Sequence, residues 1–127
     1  MKKLLIVDDQ QAWITFNTAI VNDILGEGVV IHTALSANEA YNLLLENILN
    51  PYDYIITDLQ MEDSYAPKTA GEWLIEQAKG MSFYEKTNII IVSAAPFIDH
   101  ISERLDVNYI RKQDATVSKD LYNKFIK

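Results

Sequence analysis

Two adjacent aspartates follow the first apolar run of the chain, and a third aspartate follows a later run. Asp8 and Asp9 come directly after "LLIV", and Asp58 comes directly after "YIIT". Adjacent carboxylates repel one another and lose hydration when buried, so such a pair at a strand end needs a reason. Carboxylate oxygens suit hard cations, and Mg²⁺ is the usual one where phosphate is handled. The three aspartates indicate a cation site if the fold brings them together.

A hydroxyl and an amine follow two further apolar runs. Ser93 ends "IIIVS", and Lys112 follows "NYIR". Taken singly, Asp9 and Ser93 are ordinary caps or turn formers, and Lys112 is an ordinary surface charge. Taken together, carboxylates, a hydroxyl and an amine at successive strand ends favour one shared functional site over these separate structural roles.

The elements that must position these residues alternate between strands and helices. Strand patterns fall at residues 3–7, 29–34, 52–58, 88–93 and 107–111. Helical patterns fall at 10–25, 36–48, 69–78, 96–105 and 114–126. This alternation predicts an α/β fold, a doubly wound five-stranded parallel sheet with helices on both faces, in one domain spanning 1–127. Ligands of such sheets bind beyond the carboxyl ends of the strands, where the residues above are expected.

Local signals predict where several helices begin and what they bury. Ser36 with Glu39, and Thr69 with Glu72, are capping-box pairs. Pro96 is expected in the first turn of the fourth helix. The last helix, 114–126, is expected to bury an apolar stripe by its spacing. That stripe consists of Val117, Leu121 and Phe125.

Composition narrows the class of protein. The chain has no cysteine, which excludes disulfides and thiolate-metal sites. Its net charge of −7 argues against direct binding to nucleic acid. The apolar run in "MKKLLIVDD" stops at Asp8, which is too short for a secretory or membrane segment. A cytoplasmic protein is therefore expected.

Other phosphate chemistries do not fit the sequence. A haloacid-dehalogenase-like phosphatase needs a second aspartate two residues after its nucleophile, and Gln10 stands there. No nucleotide P-loop motif occurs, and the pair Gly26 and Gly28 precedes the second strand instead of following the first. His32 and His100 are isolated in the pattern, so neither suggests a catalytic triad.

Four motifs, in order, resemble the receiver domains of two-component response regulators over essentially the whole chain. They are "IVDDQ", "YIITDLQM", "IIIVSAA" and "YIRK". The resemblance implies a flavodoxin-like three-layer fold with strand order 2-1-3-4-5. It also implies that Asp58 is the phosphoacceptor, and that Asp8, Asp9, Asp58 and the backbone carbonyl of Gln60 hold Mg²⁺.

The resemblance assigns roles to the remaining motif residues. Ser93 and Lys112 are expected to contact phosphoryl oxygens, and the small Ala94 to leave room for the group. Ser93 and Tyr109 are expected to form the switch that changes partner binding at the face of helix four and strand five. The expected phosphoryl donor is a histidine kinase or phosphotransfer protein, and the output is binding of a downstream protein. Such a protein is a phosphoacceptor with slow self-dephosphorylation, not an enzyme acting on other substrates.

Two departures from the family pattern keep a second interpretation open. Gln113 stands where the family usually has proline, and the segment 62–71 is longer than usual, with Glu62 and Asp63 adding acid. These departures favour a phosphorylation-independent interaction module with the same fold. The retained carboxylates and Lys112 favour the phosphorylatable switch, because a module without phosphate chemistry does not need mutually repelling groups.

Overall fold

The computed structural model describes residues 1–61 and 69–126, and five strands in these ranges form one parallel sheet. The strands are β1 (Lys3–Val7), β2 (Val30–Ala34), β3 (Tyr54–Thr57), β4 (Asn88–Ser93) and β5 (Asn108–Arg111). They lie in the order β2-β1-β3-β4-β5, and every neighbouring pair is parallel. The predicted fold class and strand order are confirmed. The long segment predicted at 62–71, with Glu62 and Asp63, lies largely outside the described residues.

Helices cover both faces of the sheet. They are α1 (Gln11–Leu25), α2 (Ala37–Glu46), α3 (Ala70–Lys79), α4 (Ile98–Leu105) and α5 (Lys112–Ala115), with 3₁₀ turns at Ser82–Tyr84 and Lys119–Lys124. Helices α2, α3 and α4 pack on one face, and α1, α5 and the last 3₁₀ turn pack on the other. Alternate residues of each strand enter the two cores, since side chains along a strand point to opposite faces. In β1, Leu5 and Val7 enter one core, and Leu4 and Ile6 enter the other.

The two capping boxes form only in part. The Ser36 and Thr69 hydroxyl oxygens accept the backbone N–H groups of Glu39 and Glu72, as predicted. The Glu39 carboxylate turns back to the Leu35 N–H, but the Glu72 carboxylate instead accepts from the Arg104 guanidinium at 2.8 Å. An ion pair between α3 and α4 has therefore taken the place of one local cap.

The prediction of one long C-terminal helix at 114–126 is wrong. Helix α5 ends at Ala115, and Val117, which was expected inside, is 86% exposed. The run Thr116–Ser118 disfavours helix because β-branched residues and serine favour other conformations. The 3₁₀ turn after it instead buries Tyr122, whose hydroxyl donates to Asn17 Oδ1 at 2.6 Å.

Helix α4 begins later than the sequence predicts. Pro96 lies in the turn before it, and Phe97 stands at its N-cap with a left-handed φ of 60°, so the helix starts at Ile98. Helix α2 ends earlier than the sequence predicts, at Glu46, where the side chain of the next residue, Asn47, donates to the Leu43 carbonyl at 2.7 Å.

Among the described residues, no helix combines the length and apolar character that crossing a membrane requires.

Candidate functional site

The carboxyl ends of β1 and β3 bring the acidic residues together. Val7 and Thr57 are register partners, and Asp8 and Asp58 follow them directly. The Asp58 N–H donates to the Val7 carbonyl at 3.0 Å, so the pairing continues into the site. Carboxylate oxygens of Asp8, Asp9 and Asp58 all lie within 4.8 Å of one another. We call these three residues the acidic cluster.

Backbone amides hold two of these carboxylates in place. Asp8 Oδ1 accepts from the Gln10 N–H at 3.0 Å, and Asp58 Oδ1 accepts from the Leu59 and Gln60 N–H groups at 2.7 and 3.3 Å. Both side chains are buried, with 1% and 5% of their surface exposed. Because these contacts hold Oδ1 of each carboxylate, Oδ2 of each is left to face the interior of the site, where both meet the Lys112 ammonium.

Lys112 reaches this cluster from the edge strand. It is the first residue of α5, directly after β5, and its side chain is buried. Its Nζ lies 2.9 Å from Asp8 Oδ2 and donates to Asp58 Oδ2 at 3.0 Å. One ammonium thus contacts two of three carboxylates, so the cluster keeps an excess of negative charge when all are ionised.

The acidic cluster has the donor set of a hard-cation site. Asp8 Oδ2 is buried and, although it pairs with the Lys112 charge, it accepts no well-aligned hydrogen bond from the described residues. A buried carboxylate oxygen without a hydrogen bond is costly unless a cation satisfies it. Oxygen ligands from several carboxylates are those that Mg²⁺ takes in proteins, so the residues fit that ion.

Burial raises the pKa of Asp8 above its usual value of 3.8, and the neighbouring Asp58 carboxylate raises it further. The Gln10 N–H and Lys112 oppose this rise but do not cancel it. The folded protein therefore holds the Asp8 proton more tightly than the unfolded chain does. Ionised Asp8 is a source of instability that a bound cation would relieve.

This shift predicts how Asp8→Asn changes stability with pH. Asp8 contributes most to stability below pH 3.8, and that contribution is lost as the pH rises through its raised folded pKa. The metal-free Asp8→Asn variant lacks this loss. Its stability relative to the unmodified protein should therefore grow as the pH rises above 3.8, and should stop growing once the pH exceeds the raised folded pKa of Asp8. Urea unfolding in chelator across this range measures it, and an advantage that shrinks with rising pH would contradict the assignment.

An open cleft of about 480 Å³ leads to Asp58 and Lys112. Gln60 and Ala94, which the sequence places beside the site, line this cleft with Asp9. Ser93 does not line it: the side chain is fully buried at the end of β4, and its oxygen accepts the Ala95 N–H at 3.2 Å. The structure thus brings the carboxylates and the lysine together but leaves the hydroxyl turned to its own loop.

Tyr109 lies outside the cleft, on the edge strand β5. It is half-buried against the core that contains α4, and the Arg111 guanidinium carbon lies 5.5 Å from its ring centre. Arg111 Nη2 is also 3.9 Å from Asp99 Oδ1 of α4. The tyrosine therefore belongs to the face between α4 and β5, where its predicted role would place it.

Four further residues line the cleft that sequence reasoning did not assign to it: Gln10, Trp13, Gln113 and Thr116. The sequence pattern did not assign Trp13 to the cleft, because its spacing with Phe16, Ile20 and Ile24 is typical of the buried apolar face of a helix. Its position in the first turn after the Asp8–Asp9 pair is the signal that could have found it. Gln113 lies in α5 and Thr116 directly follows it. The sequence predicted the last helix to begin at residue 114, whereas α5 begins at Lys112, so the first turn of this helix was not recognised as part of the cleft.

Comparison with known proteins shows similarity of structure rather than of sequence. No protein-family model matches the chain, and no curated protein matches it. Chemotaxis protein CheY4 of Vibrio cholerae aligns with a TM-score of 0.68 and 23% identity, over 88% of this chain and 87% of that one. The phosphorylated cyanobacterial phytochrome response regulator RcpA aligns at 0.71 and 24%, over 87% and 80%. The receiver domain of the hybrid histidine kinase CckA aligns at 0.62 and 18%, over 97% and 98%.

These neighbours are response regulator receiver domains, and they cover most of the chain. The fold of this protein is therefore the receiver fold, with an acidic cluster and a lysine at the carboxyl edge of its sheet. The resemblance predicted from the four motifs is confirmed at the level of the fold.

Proposed function

We propose that this protein is a phosphorylatable signalling switch of a two-component phosphorelay, with Asp58 as the phosphoacceptor. The observation that carries the proposal is the contact between Asp58 Oδ2 and the Lys112 ammonium inside the acidic cluster. A buried carboxylate that faces both a lysine and a cation site, at the end of an open cleft, is equipped for phosphoryl transfer. The receiver fold supports the same conclusion, and the solved relatives include one described as phosphorylated.

Phosphoryl transfer to Asp58 is a displacement at phosphorus. A carboxylate oxygen of Asp58 forms a bond to phosphorus, and the bond from phosphorus to the donor breaks and leaves its electron pair with the donor. Asp8, Asp9, Asp58 and the backbone carbonyl of Gln60 would hold Mg²⁺, which would supply positive charge to offset that of the phosphoryl oxygens. Lys112 supplies a second, compact positive charge on the same side.

The remaining roles concern the response of the protein once Asp58 carries the phosphoryl group. The Ser93 hydroxyl is proposed to turn from its loop contact towards a phosphoryl oxygen, while the small Ala94 leaves room at the cleft. Tyr109 is proposed to respond to that movement and to change the face between α4 and β5. One added charge then biases a two-state switch, and a partner protein reads the new surface.

The proposed partners are those that this chemistry requires. A histidine kinase or phosphotransfer protein would donate the phosphoryl group, and a downstream protein would bind the switched face. The net charge of −7 argues against nucleic acid as the direct target. The proposed location is the cytoplasm, and the protein would act as a phosphoacceptor rather than as an enzyme on other substrates.

Intact mass spectrometry tests the proposal. Incubation with Mg²⁺ and a small acyl phosphate is expected to add one phosphoryl group, which hydroxylamine then removes because acyl phosphates react with it. Asp58→Asn is expected to abolish the gain, because the amide is not a nucleophile for this reaction. Asp23→Asn is the matched control, since Asp23 is an exposed aspartate near the far end of α1.

The outcomes separate the two functional interpretations. A gain that survives Asp58→Asn would show that another residue is the acceptor. No gain in the unmodified protein, with either the acyl phosphate or a phosphorylated histidine kinase, would favour the phosphorylation-independent interaction module.

A further inference from the structure

The indole ring of Trp13 lines one side of the cleft beside the acidic cluster. It lies in the first turn of α1, lines the cleft with Asp58, and is partly exposed there. The ring of Phe16 packs edge-on against it, with centroids 5.1 Å apart and an interplanar angle of 73°. Such edge-to-face pairs are favourable and directional, so Phe16 restrains the orientation of the indole.

The face of this indole is directed at Lys112. The Lys112 Nζ lies 4.8 Å from the ring centre, which is within cation–π range. The same ammonium contacts Asp8 and Asp58 at 2.9 and 3.0 Å. Lys112 is therefore held by two carboxylates on one side and by a neutral ring on the other.

The two kinds of contact respond differently when the site is filled. A cation in the acidic cluster would compete with the ammonium for the oxygens of Asp8 and Asp58, and it would also repel the ammonium. The indole offers no oxygen ligand to such a cation, so its contact with Lys112 is preserved. The cation–π contact with Trp13 therefore keeps the lysine near Asp58 without competing for the carboxylate oxygens.

We infer that Trp13 is a positioning residue that keeps the Lys112 ammonium beside Asp58 when the acidic cluster holds a cation. The ammonium is then in place for the phosphoryl group, so the inference rests on the proposed function for its consequence. The alternative is that Trp13 only fills space in the apolar stripe of α1. A space-filling role needs an apolar side chain but no aromatic ring. Trp13→Leu, which removes the ring, and Trp13→Phe, which keeps one, therefore distinguish the positioning role from the space-filling role.

Nuclear magnetic resonance of the Lys112 side chain tests the contact without any phosphoryl transfer. Because the Lys112 Nζ lies 4.8 Å from the ring centre, ring current is expected to shift the protons on the adjoining Cε upfield, and Lys112→Arg identifies the signal by its loss. The upfield shift is expected to persist at saturating Mg²⁺ and to vanish in Trp13→Leu. The inference is overturned if Mg²⁺ moves the signal to the position found in Trp13→Leu.

The initial rate of phosphoryl uptake from a small acyl phosphate tests the consequence. Trp13→Leu is expected to slow uptake about fivefold, and Trp13→Phe, which keeps an aromatic face, about twofold or less. Phe125→Leu is the control, because Phe125 packs against the same core as Phe16 but does not line the cleft, so the rate should stay close to that of the unmodified protein.

The two measurements fail separately. If the unmodified protein takes up phosphoryl and Trp13→Leu is equally fast, the positioning role is wrong although the proposed function stands. If the unmodified protein takes up none, the proposed function fails, and the Lys112 signal still decides whether Trp13 holds the lysine.

Discussion

Replacing Gly71 with alanine is expected to destabilise the protein by about 3 kcal/mol, because the added methyl group has no space. Gly71 is the second residue of α3, and a Cβ there would lie 2.1 Å from the Asp58 carbonyl oxygen and 2.5 Å from the Leu59 Cα. Both neighbours are backbone atoms of the segment that carries the acceptor. The Gly71 N–H also donates to the Leu59 carbonyl at 3.0 Å, so helix and segment cannot separate freely.

Helix propensity alone would predict that Gly71→Ala stabilises the protein, so the two explanations predict opposite changes in the free energy of unfolding. Alanine is favoured over glycine in a helix by about 1 kcal/mol, so any net loss must come from the clash. Gly80, at the other end of α3, is the matched control: its φ is −78°, and a Cβ would meet its nearest neighbour, the Glu76 carbonyl oxygen, at 3.4 Å. Gly80→Ala is expected to be neutral or to stabilise by about 0.5 kcal/mol.

Urea unfolding of both glycine variants measures the difference. Gly71→Ala as stable as the unmodified protein would mean that α3 does not approach the Asp58 backbone as closely as the structure shows. If Gly71→Ala folds, its phosphoryl uptake should also fall, because relief of the clash must move either α3 or the segment of Asp58 and Leu59.

Lys112→Met is expected to lower the metal-free stability by about 3 kcal/mol at neutral pH, because it leaves buried carboxylates unpaired. The Lys112 ammonium contacts Asp8 Oδ2 and Asp58 Oδ2, and methionine replaces its volume without its charge. Lys79→Met is the control, since the Lys79 ammonium donates to the Asp106 carbonyl and takes no part in the acidic cluster.

Mg²⁺ should reverse much of this loss. The ion and the ammonium compete for the same oxygens, so Lys112→Met is expected to bind Mg²⁺ more tightly than the unmodified protein. At a hundredfold excess over the dissociation constant, binding stabilises by about 2.7 kcal/mol. Asp9→Ala in the same background is expected to erase this rescue, because it removes one carboxylate of the acidic cluster.

Unfolding in chelator and in Mg²⁺ gives both results. If Mg²⁺ stabilises the unmodified protein more than Lys112→Met, the ion and the lysine do not share oxygens. If Asp9→Ala keeps the full Mg²⁺ effect, Asp9 is not a ligand.

The strands were predictable because each central one is covered on both faces. Buried parallel strands appear as unbroken apolar runs, as in "IIIV" of β4, and their bounds agree to within two residues. The last helix was not predictable in the same way. Helical spacing relates Val117, Leu121 and Phe125, which predicted that these side chains face the core. In the structure Tyr122 is buried in the core instead, hydrogen-bonded to Asn17 of α1, and Val117 is exposed.

The sequence alone determined that Asp8, Asp9, Asp58 and Lys112 stand at strand ends, because local periodicity locates where each strand stops. Parallel strands share one carboxyl edge, so these residues had to lie near one another. Only the tertiary structure decided which atoms meet: the Lys112 ammonium between Asp8 and Asp58, with Trp13 beside it. Lys112 and Asp58 are 54 residues apart, and contacts at that separation depend on strand order and packing, which no local pattern encodes.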